Sequence, residues 1–246
     1  MTDLILGIGE VGFTLLELLS ERGFNCTGID IDKSKEEKFA ETSKIKEPEI
    51  LHVCLPGELD KFAETVLEQI KKNQNLKAVI IHSTVKPRTT KNIQNKIEIP
   101  VIYSPVRGVH KRFLEDIKRY TKFVSCDLKI DENIKSEIEN RFKKVQWMSN
   151  TKTAEFAKIL VDTTYYGWLI NYAQITKMIC EKEGIDFDEI WEFSDEIHEI
   201  LGNRPKMFPG IIEGHCVIPN LNLIDYKEID KIKKVNELYK KFKEEY

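Results

Sequence analysis

The 246-residue sequence lacks several features that mark particular classes of protein. No apolar run approaches the roughly 20 residues that a membrane span needs, so we predict no membrane helix. The 38 basic and 41 acidic side chains leave no basic excess, which argues against general nucleic-acid binding. The first residues carry neither a charged n-region nor an Ala-x-Ala site, so we expect no signal peptide and a cytoplasmic protein.

The five cysteines also lack any CxxC spacing. This absence disfavours a zinc site and a disulfide framework, and we predict no metal site. Most of the thiols are expected to be small, buried, apolar side chains.

The first half of the chain alternates short apolar runs with helical patterns. Strands are predicted at residues 4–8, 26–31, 51–55, 78–82, 101–103 and 123–126, and helices near 11–22, 58–72, 88–96 and 133–144. Continuous apolar strands that alternate with helices predict an α/β fold with a doubly wound parallel sheet, covered on both faces.

The second half has a helical pattern. Apolar residues recur at helical spacing from Thr153 to Glu183, which predicts one long central helix, with Gly167 as a candidate kink and Gly184 as its end. Shorter helices are predicted near residues 186–201 and 225–244, on either side of a loop rich in glycine and proline. We therefore predict a sheet domain at residues 1–150 and an all-helical domain at residues 151–246.

The segment Gly7-Ile8-Gly9-Glu10-Val11-Gly12 follows a predicted strand and opens a predicted helix. In this setting the first glycine permits a tight turn, the second lets the backbone approach a pyrophosphate, and the third lets helix and strand pack closely. Asp30 lies about 20 residues further on, where a carboxylate can accept both ribose hydroxyls and repel a 2′-phosphate. The pattern predicts a Rossmann-type domain that binds NAD rather than NADP. A glycine-rich turn in an ordinary α/β protein is the alternative.

Further segments follow the glycine motif in a distinctive order. They are Leu55-Pro56-Gly57, Ser83-Thr84-Val85 with Pro87 and Thr89-Thr90, Ala154-Glu155-Phe156-Ala157-Lys158, Cys180-Glu181, Gly184-Ile185-Asp186, and Pro209-Gly210 with Gly214-His215-Cys216. Together with residues 7–32 they resemble the UDP-glucose/GDP-mannose dehydrogenase family, within the 6-phosphogluconate-dehydrogenase-like superfamily. The resemblance implies that Leu55, Pro56, Ser83 and Thr84 border the cofactor.

The resemblance also implies catalytic roles, and the sequence departs from the family there. Lys158 matches the catalytic lysine of the family's central helix, and Cys216 matches its nucleophilic cysteine. The family's Asn four residues after the lysine is Asp162 here, and its Asp four residues after the cysteine is Asn220. Arg88 replaces a family glycine. The exchanged Asn and Asp argue against the hydrolytic half of a two-step oxidation.

Two further departures concern loops and length. The family's hydrolytic Glu is missing from Ser104-Pro105-Val106-Arg107-Gly108, a segment that also resembles the two-domain β-hydroxyacid dehydrogenases of the same superfamily. Those enzymes make one hydride transfer. The central helix is one residue longer between Lys158 and Cys180, and the sequence ends where we expect the family's third, nucleotide-sugar-binding domain.

The candidate catalytic residues each have a structural alternative. Lys158 and Asp162 lie one helical turn apart, so they can orient a substrate hydroxyl and move its proton, or form an ordinary salt bridge. Cys216, beside His215, can hold an aldehyde as a thiohemiacetal, or be a structural thiol. The basic segment 107–112, extended by Lys118 and Arg119, can anchor a phosphate or carboxylate, or be a solvated face.

These observations favour an NAD-dependent oxidoreductase that acts on an alcohol or sugar-derived small molecule. Two other classes stay open: a Rossmann-type methyltransferase that binds S-adenosylmethionine, and a non-catalytic nucleotide-binding subunit. In the resembled family the central helices pair across a two-fold axis. The excess of aromatic residues on this helix therefore predicts a homodimer through the helical domain; they are Tyr165, Tyr166, Trp168 and Tyr172.

Overall fold

The computed structural model describes residues 1–37, 47–108, 112–214 and 216–245. The chain forms two compact units, residues 1–158 and 159–246. The first unit ends at Lys158 rather than near residue 150, because the helix that begins at Thr151 packs against the sheet. In the part of the chain that the structure describes, no helix is both long and apolar enough to cross a bilayer.

The first unit contains a seven-stranded sheet with helices on both faces. Its strands are β1 (Asp3–Leu6), β2 (Cys26–Ile29), β3 (Ile50–Val53), β4 (Ala78–Ile81), β5 (Val101–Tyr103), β6 (Lys122–Cys126) and β7 (Val145–Trp147). Its helices are α1 (Glu10–Glu21), α2 (Lys33–Glu37), α3 (Phe62–Lys72), α4 (Thr89–Gln94), α5 (Phe113–Arg119), α6 (Glu132–Phe142) and α7 (Thr151–Ala157).

The strand order is β2-β1-β3-β4-β5-β6-β7. The first five strands are parallel to their neighbours, β6 is antiparallel to β5, and β7 is parallel to β6. The predicted doubly wound, Rossmann-type sheet is therefore confirmed, although its last two strands run in the opposite direction. The sequence patterns missed β7, α2 and α5, which are short elements of three to seven residues.

Alternating residues of the central strands send their side chains to the two faces of the sheet. Ile5, Ile80 and Ile102 pack with leucines of α1 and with residues of α5 and α6. Their neighbours along the strands, such as Leu6 and Ile81, pack with residues of α3, α4 and α7. Both faces are thus covered, which is why these strands are apolar without interruption.

The second unit is helical. It contains a π-helical segment (Lys158–Thr164, which begins at the last residue of the first unit), α8 (Tyr165–Glu183), α9 (Phe187–Leu201), α10 (Val217–Leu221) and α11 (Lys227–Glu245). Helical conformation thus runs from Thr151 to Glu183, and Gly184 follows in the left-handed conformation with φ +68°. A wider π turn accommodates an extra residue in an α-helix, which agrees with the one-residue excess noted in the sequence. The irregular turn lies before Gly167, not at it.

Candidate active site

Adjacent parallel strands bring the predicted cofactor residues to one edge of the sheet. Gly7 follows β1, Asp30 follows β2, Leu55 comes soon after β3, and Ser83 soon after β4. β1 lies between β2 and β3, so the strands that follow β1 along the chain lie on opposite sides of it. In open α/β sheets, ligands bind outside the carboxyl ends of the strands at such a switch point.

The glycines of the loop after β1 meet different requirements. Gly7 has a φ of +91°, a left-handed conformation that favours glycine. A Cβ atom on Gly12 would lie 1.9 Å from the Gly7 carbonyl oxygen, so α1 can approach this loop only without a side chain there. A Cβ atom on Gly9 would meet nothing within 4 Å. The backbone at the start of α1, including Glu10 and Val11, thus borders open space at a helix N-terminus, which favours a phosphate.

Asp30 is held next to this loop. Its Oδ2 accepts a 2.6 Å hydrogen bond from the Ile8 amide, and its Oδ1 accepts one of 2.9 Å from the Asp32 amide. Burial raises the pKa of Asp30, but these two bonds and the nearby Lys35 outweigh it and hold the pKa below its ordinary value. The side chain is therefore an anion, 22 residues from Ile8 in sequence and fixed beside the glycine loop.

The loops after β3 and β4 are joined at the same edge. The Ser83 hydroxyl donates a 2.6 Å hydrogen bond to the Leu55 carbonyl. A Cβ atom on Gly57 would lie 1.6 Å from the Thr84 carbonyl oxygen, so the two loops are in direct contact. The structure thus brings Leu55, Pro56, Ser83 and Thr84 together. They lie next to the Gly7 loop, because Cys54 is a direct neighbour of Gly7.

Lys158 follows α7, and a buried carboxylate fixes that helix. Glu155 accepts hydrogen bonds from the Arg88 amide (2.5 Å), the Thr90 amide (2.9 Å) and the Thr90 hydroxyl (2.7 Å). Burial raises the pKa of Glu155, although these bonds act in the opposite direction. The carboxylate joins the start of α4 to α7 and so places the half-buried Lys158, one residue after α7, at a defined position.

Arg88, whose amide donates to Glu155, has a strained backbone. It has a φ of +78° and a ψ of 1°, a left-handed conformation that disfavours a side chain. Replacing Arg88 with Gly is expected to stabilise the fold by about 1 kcal/mol, because the strain is removed while the amide bond to Glu155 is kept. Urea unfolding should show the gain for Arg88→Gly and none for Arg88→Ala, which keeps the Cβ atom. Equal stability of the two variants would contradict the strain.

The remaining candidates lie in the second unit. Asp162 is exposed within the π-helical segment. Cys216 is exposed and precedes α10, which contains Asn220. Exposure distinguishes Cys216 from the buried Cys26 and Cys180, as expected for a thiol that reacts. His215, and residues 109–111 of the basic segment, lie outside the described residues.

A buried amide network holds the loop that leads to Cys216. Asn236 of α11 accepts a 2.8 Å hydrogen bond from the Ile212 amide and donates one of 3.1 Å to its carbonyl. Gln174 of α8 donates to Asn236 (2.9 Å) and to the Gly210 carbonyl (2.7 Å). A groove lined by Gly214 and Pro219, among others, lies on this side of the unit.

A buried polar network beneath the sheet edge was missed in the sequence. Asp3 belongs to β1, His52 belongs to β3 and His82 directly follows β4, and none of them is exposed. The distances are 2.8 Å from His52 Nε2 to Asp3 Oδ1 and 2.9 Å from His52 Nδ1 to His82 Nε2. Arg141 of α6 donates to both Asp3 oxygens at 2.9 and 3.0 Å. Polar residues inside buried strands were the available signal.

The state of the His82 ring sets the direction of these hydrogen bonds. Burial, with the charges of Lys122 and His52, holds the pKa of His82 well below its ordinary value, so this ring is neutral. Its Nδ1 donates to the Ser104 carbonyl at 3.0 Å, which leaves Nε2 as an acceptor. His52 Nδ1 therefore donates to His82, and its Nε2 lies 2.8 Å from the Asp3 carboxylate oxygen. Burial raises the pKa of Asp3, but His52 and Arg141 lower it overall.

Comparison with known proteins finds similarity to dehydrogenases. No protein-family model matches the chain. The chain is 25% identical over 257 residues to a UDP-N-acetyl-D-mannosamine dehydrogenase of Methanocaldococcus jannaschii, which covers 87% of the chain and 58% of that relative. The chain thus spans less than two thirds of the relative's length. Homologues and structural neighbours are UDP-N-acetylmannosamine, UDP-glucose and GDP-mannose dehydrogenases, which confirms the resemblance seen in the sequence.

Solved structures show the same fold. A UDP-D-ManNAc dehydrogenase from Pyrococcus horikoshii superposes with a TM-score of 0.80 at 17% identity, over 98% of this chain and 69% of the other. A 3-hydroxyisobutyrate dehydrogenase of Mycobacterium tuberculosis superposes with a TM-score of 0.68 at 14% identity, over 98% and 93% of the two chains. These similarities show that the chain has the same Rossmann-type fold.

Proposed function

We propose that the protein is an NAD-dependent oxidoreductase that acts on an alcohol or sugar-derived substrate. The observation that carries the proposal is the Asp30 carboxylate, fixed by the Ile8 amide beside a glycine loop that leaves open space at the start of α1. This arrangement combines a ribose-binding acid with a phosphate-binding helix N-terminus. The names of the similar proteins support the same class of reaction.

The residues of the sheet edge fit NAD. The backbone of Gly9, Glu10 and Val11 would hold the pyrophosphate, and Asp30 would accept the hydroxyls of the adenosine ribose. The joined loops of Leu55, Pro56, Ser83 and Thr84 would border the rest of the dinucleotide. When bound, NAD supplies a hydride acceptor.

The chain's own residues would then handle the substrate. Lys158 is proposed to hold the substrate hydroxyl and take up its proton, with Asp162 as the partner that returns the proton to solvent. The exposed thiol of Cys216 is proposed to hold an aldehyde product, and Asn220, four residues later, to orient it. An exchange of the family's Asn and Asp for Asp162 and Asn220 leaves a single oxidation as the simplest outcome.

Titration of NAD, NADP and S-adenosylmethionine tests the proposal. We expect NAD to stabilise the protein against heat, by about 2.7 kcal/mol when its concentration is about 100 times its dissociation constant. NADP is expected to stabilise it less, because the Asp30 carboxylate repels a 2′-phosphate. Stabilisation by S-adenosylmethionine alone would instead assign the protein to the methyltransferases, and stabilisation by none of the three would refute cofactor binding.

We also propose that the protein is a homodimer through its helical unit. Tyr165 and Tyr172 of α8 have 56% and 62% of their surface exposed in the single chain, and Tyr166 and Trp168 are also exposed. Aromatic side chains are enriched where subunits associate, because they bury much apolar surface. Light scattering at micromolar concentration would measure the mass of the assembly.

A further inference from the structure

Lys122 and Arg107 join two segments of the chain at the carboxyl edge of the sheet, and we call this pair of residues with their carbonyl partners the clamp. The Lys122 ammonium donates hydrogen bonds to the carbonyls of Ser104 (2.7 Å) and Pro105 (3.0 Å). In return, Arg107 donates a 2.7 Å bond to the Thr121 carbonyl. The Arg107 guanidinium also lies over the Phe123 ring, 4.7 Å from its centroid. The clamp therefore fixes Lys122 and Arg107 side by side where β5 ends and β6 begins.

The reversed direction of β6 puts this clamp at the same edge as the cofactor loops. A parallel β6 would begin at the opposite edge, but the antiparallel strand begins with Lys122 beside the end of β5. Helix α7, which leads to Lys158, packs against both β5 and β6. Cys54, next to Leu55, lies close to Lys122, as do Lys158 and Arg107.

Among the described residues, no acidic side chain balances the positive charge of the clamp. Lys122 is only 7% exposed, and buried charges in proteins are normally paired. Among the described residues, no carboxylate forms an ion pair with Lys122 or Arg107. The Phe142 ring, 5.4 Å from the Lys122 nitrogen, is a weak substitute. Arg107 is half-buried, and of the described groups only the Thr121 carbonyl accepts a hydrogen bond from it.

We propose that Arg107 and Lys122 bind the anionic group, a carboxylate or a phosphate, of an acidic alcohol substrate whose hydroxyl reaches Lys158. The inference rests on the proposed oxidoreductase function, because the anion belongs to the substrate. Arg107 supplies a planar donor that matches a carboxylate or phosphate, and Lys122 supplies charge from beneath. An acidic group held there leaves the rest of a small substrate to extend toward Lys158.

The protonation of Lys122 agrees with a site that an anion completes. Burial, together with the charges of Lys158 and Arg107, lowers the pKa of Lys122 to about 7. The other ionisable groups that face Lys122 stay neutral, since burial raises the pKa of Cys54 to about 12 and lowers that of His82. Lys122 is therefore half-charged near neutral pH, and a bound anion favours the charged form.

The experiment uses small anions without cofactor, so that it can fail independently of NAD binding. Melting temperatures are measured with inorganic phosphate, malonate or neutral glycerol at constant ionic strength. The proteins compared are wild type, Arg107→Gln, Lys122→Met and Arg119→Gln. Arg119 is an exposed cation at the end of α5, so Arg119→Gln removes the same charge outside the clamp.

We expect phosphate or malonate, but not glycerol, to stabilise wild type and Arg119→Gln. Arg107→Gln is expected to need about tenfold more anion for the same shift, or more. Lys122→Met should also bind the anion more weakly, because the cation beneath Arg107 is removed. In wild type the anion should bind more weakly as the pH rises above 7, because Lys122 loses its proton.

Two results would overturn the inference. One is an anion response that is the same in Arg107→Gln as in wild type, which would place any bound phosphate elsewhere, such as the start of α1. The other is the absence of a response to both anions in wild type. If only one of the two anions acts, that result identifies the substrate's acidic group as the corresponding class.

Discussion

Replacing Arg141 with Met is expected to destabilise the fold by about 3–5 kcal/mol. Arg141 has no exposed surface, and it donates from two nitrogens to the equally buried Asp3 carboxylate. Without it, Asp3 keeps its charge in the core with only His52 to compensate. Urea unfolding at neutral pH would measure the loss. A change of less than about 1 kcal/mol would show that the pair contributes little.

A double substitution controls for the loss of packing. In the Asp3→Leu/Arg141→Met variant no charge of the pair remains, so it should be more stable than Arg141→Met alone. Arg204→Met, which removes an exposed arginine, should leave stability nearly unchanged. If the double variant loses as much free energy of unfolding as Asp3→Leu and Arg141→Met lose together, the two residues do not interact energetically.

Replacing Lys158 with Met is expected to reduce the rate of substrate oxidation by about 10²- to 10⁴-fold. The expectation follows from its proposed task of taking the hydroxyl proton as hydride leaves. NAD binding should be unaffected. The glycine loop and Asp30 are held by β1 and β2, which are far from Lys158 along the chain. Formation of NADH from an alcohol substrate would measure the rate.

Lys152 provides a matched control for Lys158. It is an exposed lysine of α7, six residues before Lys158, so Lys152→Met removes an equal charge from the same stretch of chain. Its rate should stay close to that of wild type. Wild-type turnover by Lys158→Met would remove Lys158 from the mechanism and leave the lysine as an ordinary helix residue.

The predicted parts of the site share a local sequence signal. A strand, a glycine turn and a helix succeed one another within residues 3–21, and Asp30 directly follows the next strand, so their positions follow from short-range pattern alone. The π-helical segment also had a signal, the extra residue between Lys158 and Cys180. Its location at Lys158–Thr164 required the structure, because an inserted residue can be absorbed at any turn.

The missed parts depend on pairing over long distances in the chain. Residues 122–126 carry no sequence signal for the direction of β6. That direction nevertheless decides whether Lys122, the first residue of β6, lies at the cofactor edge of the sheet. The register of β1 and β3 places Asp3 and His52 on the same face two positions apart, since Ile5 is opposite His52. Each polar residue is visible in the sequence, but only the sheet shows that they meet.

Titration of NAD into wild type and into Asp30→Ala most directly tests the central claim, that the sheet edge holds NAD through Asp30. Asp32→Ala is the matched control, since the Asp32 amide bond to Asp30 does not need its side chain. We predict that wild type and Asp32→Ala bind NAD more tightly than NADP, and that Asp30→Ala loses about tenfold or more in NAD affinity together with that preference. Equal NAD affinity in all three proteins, or none in wild type, would contradict the claim.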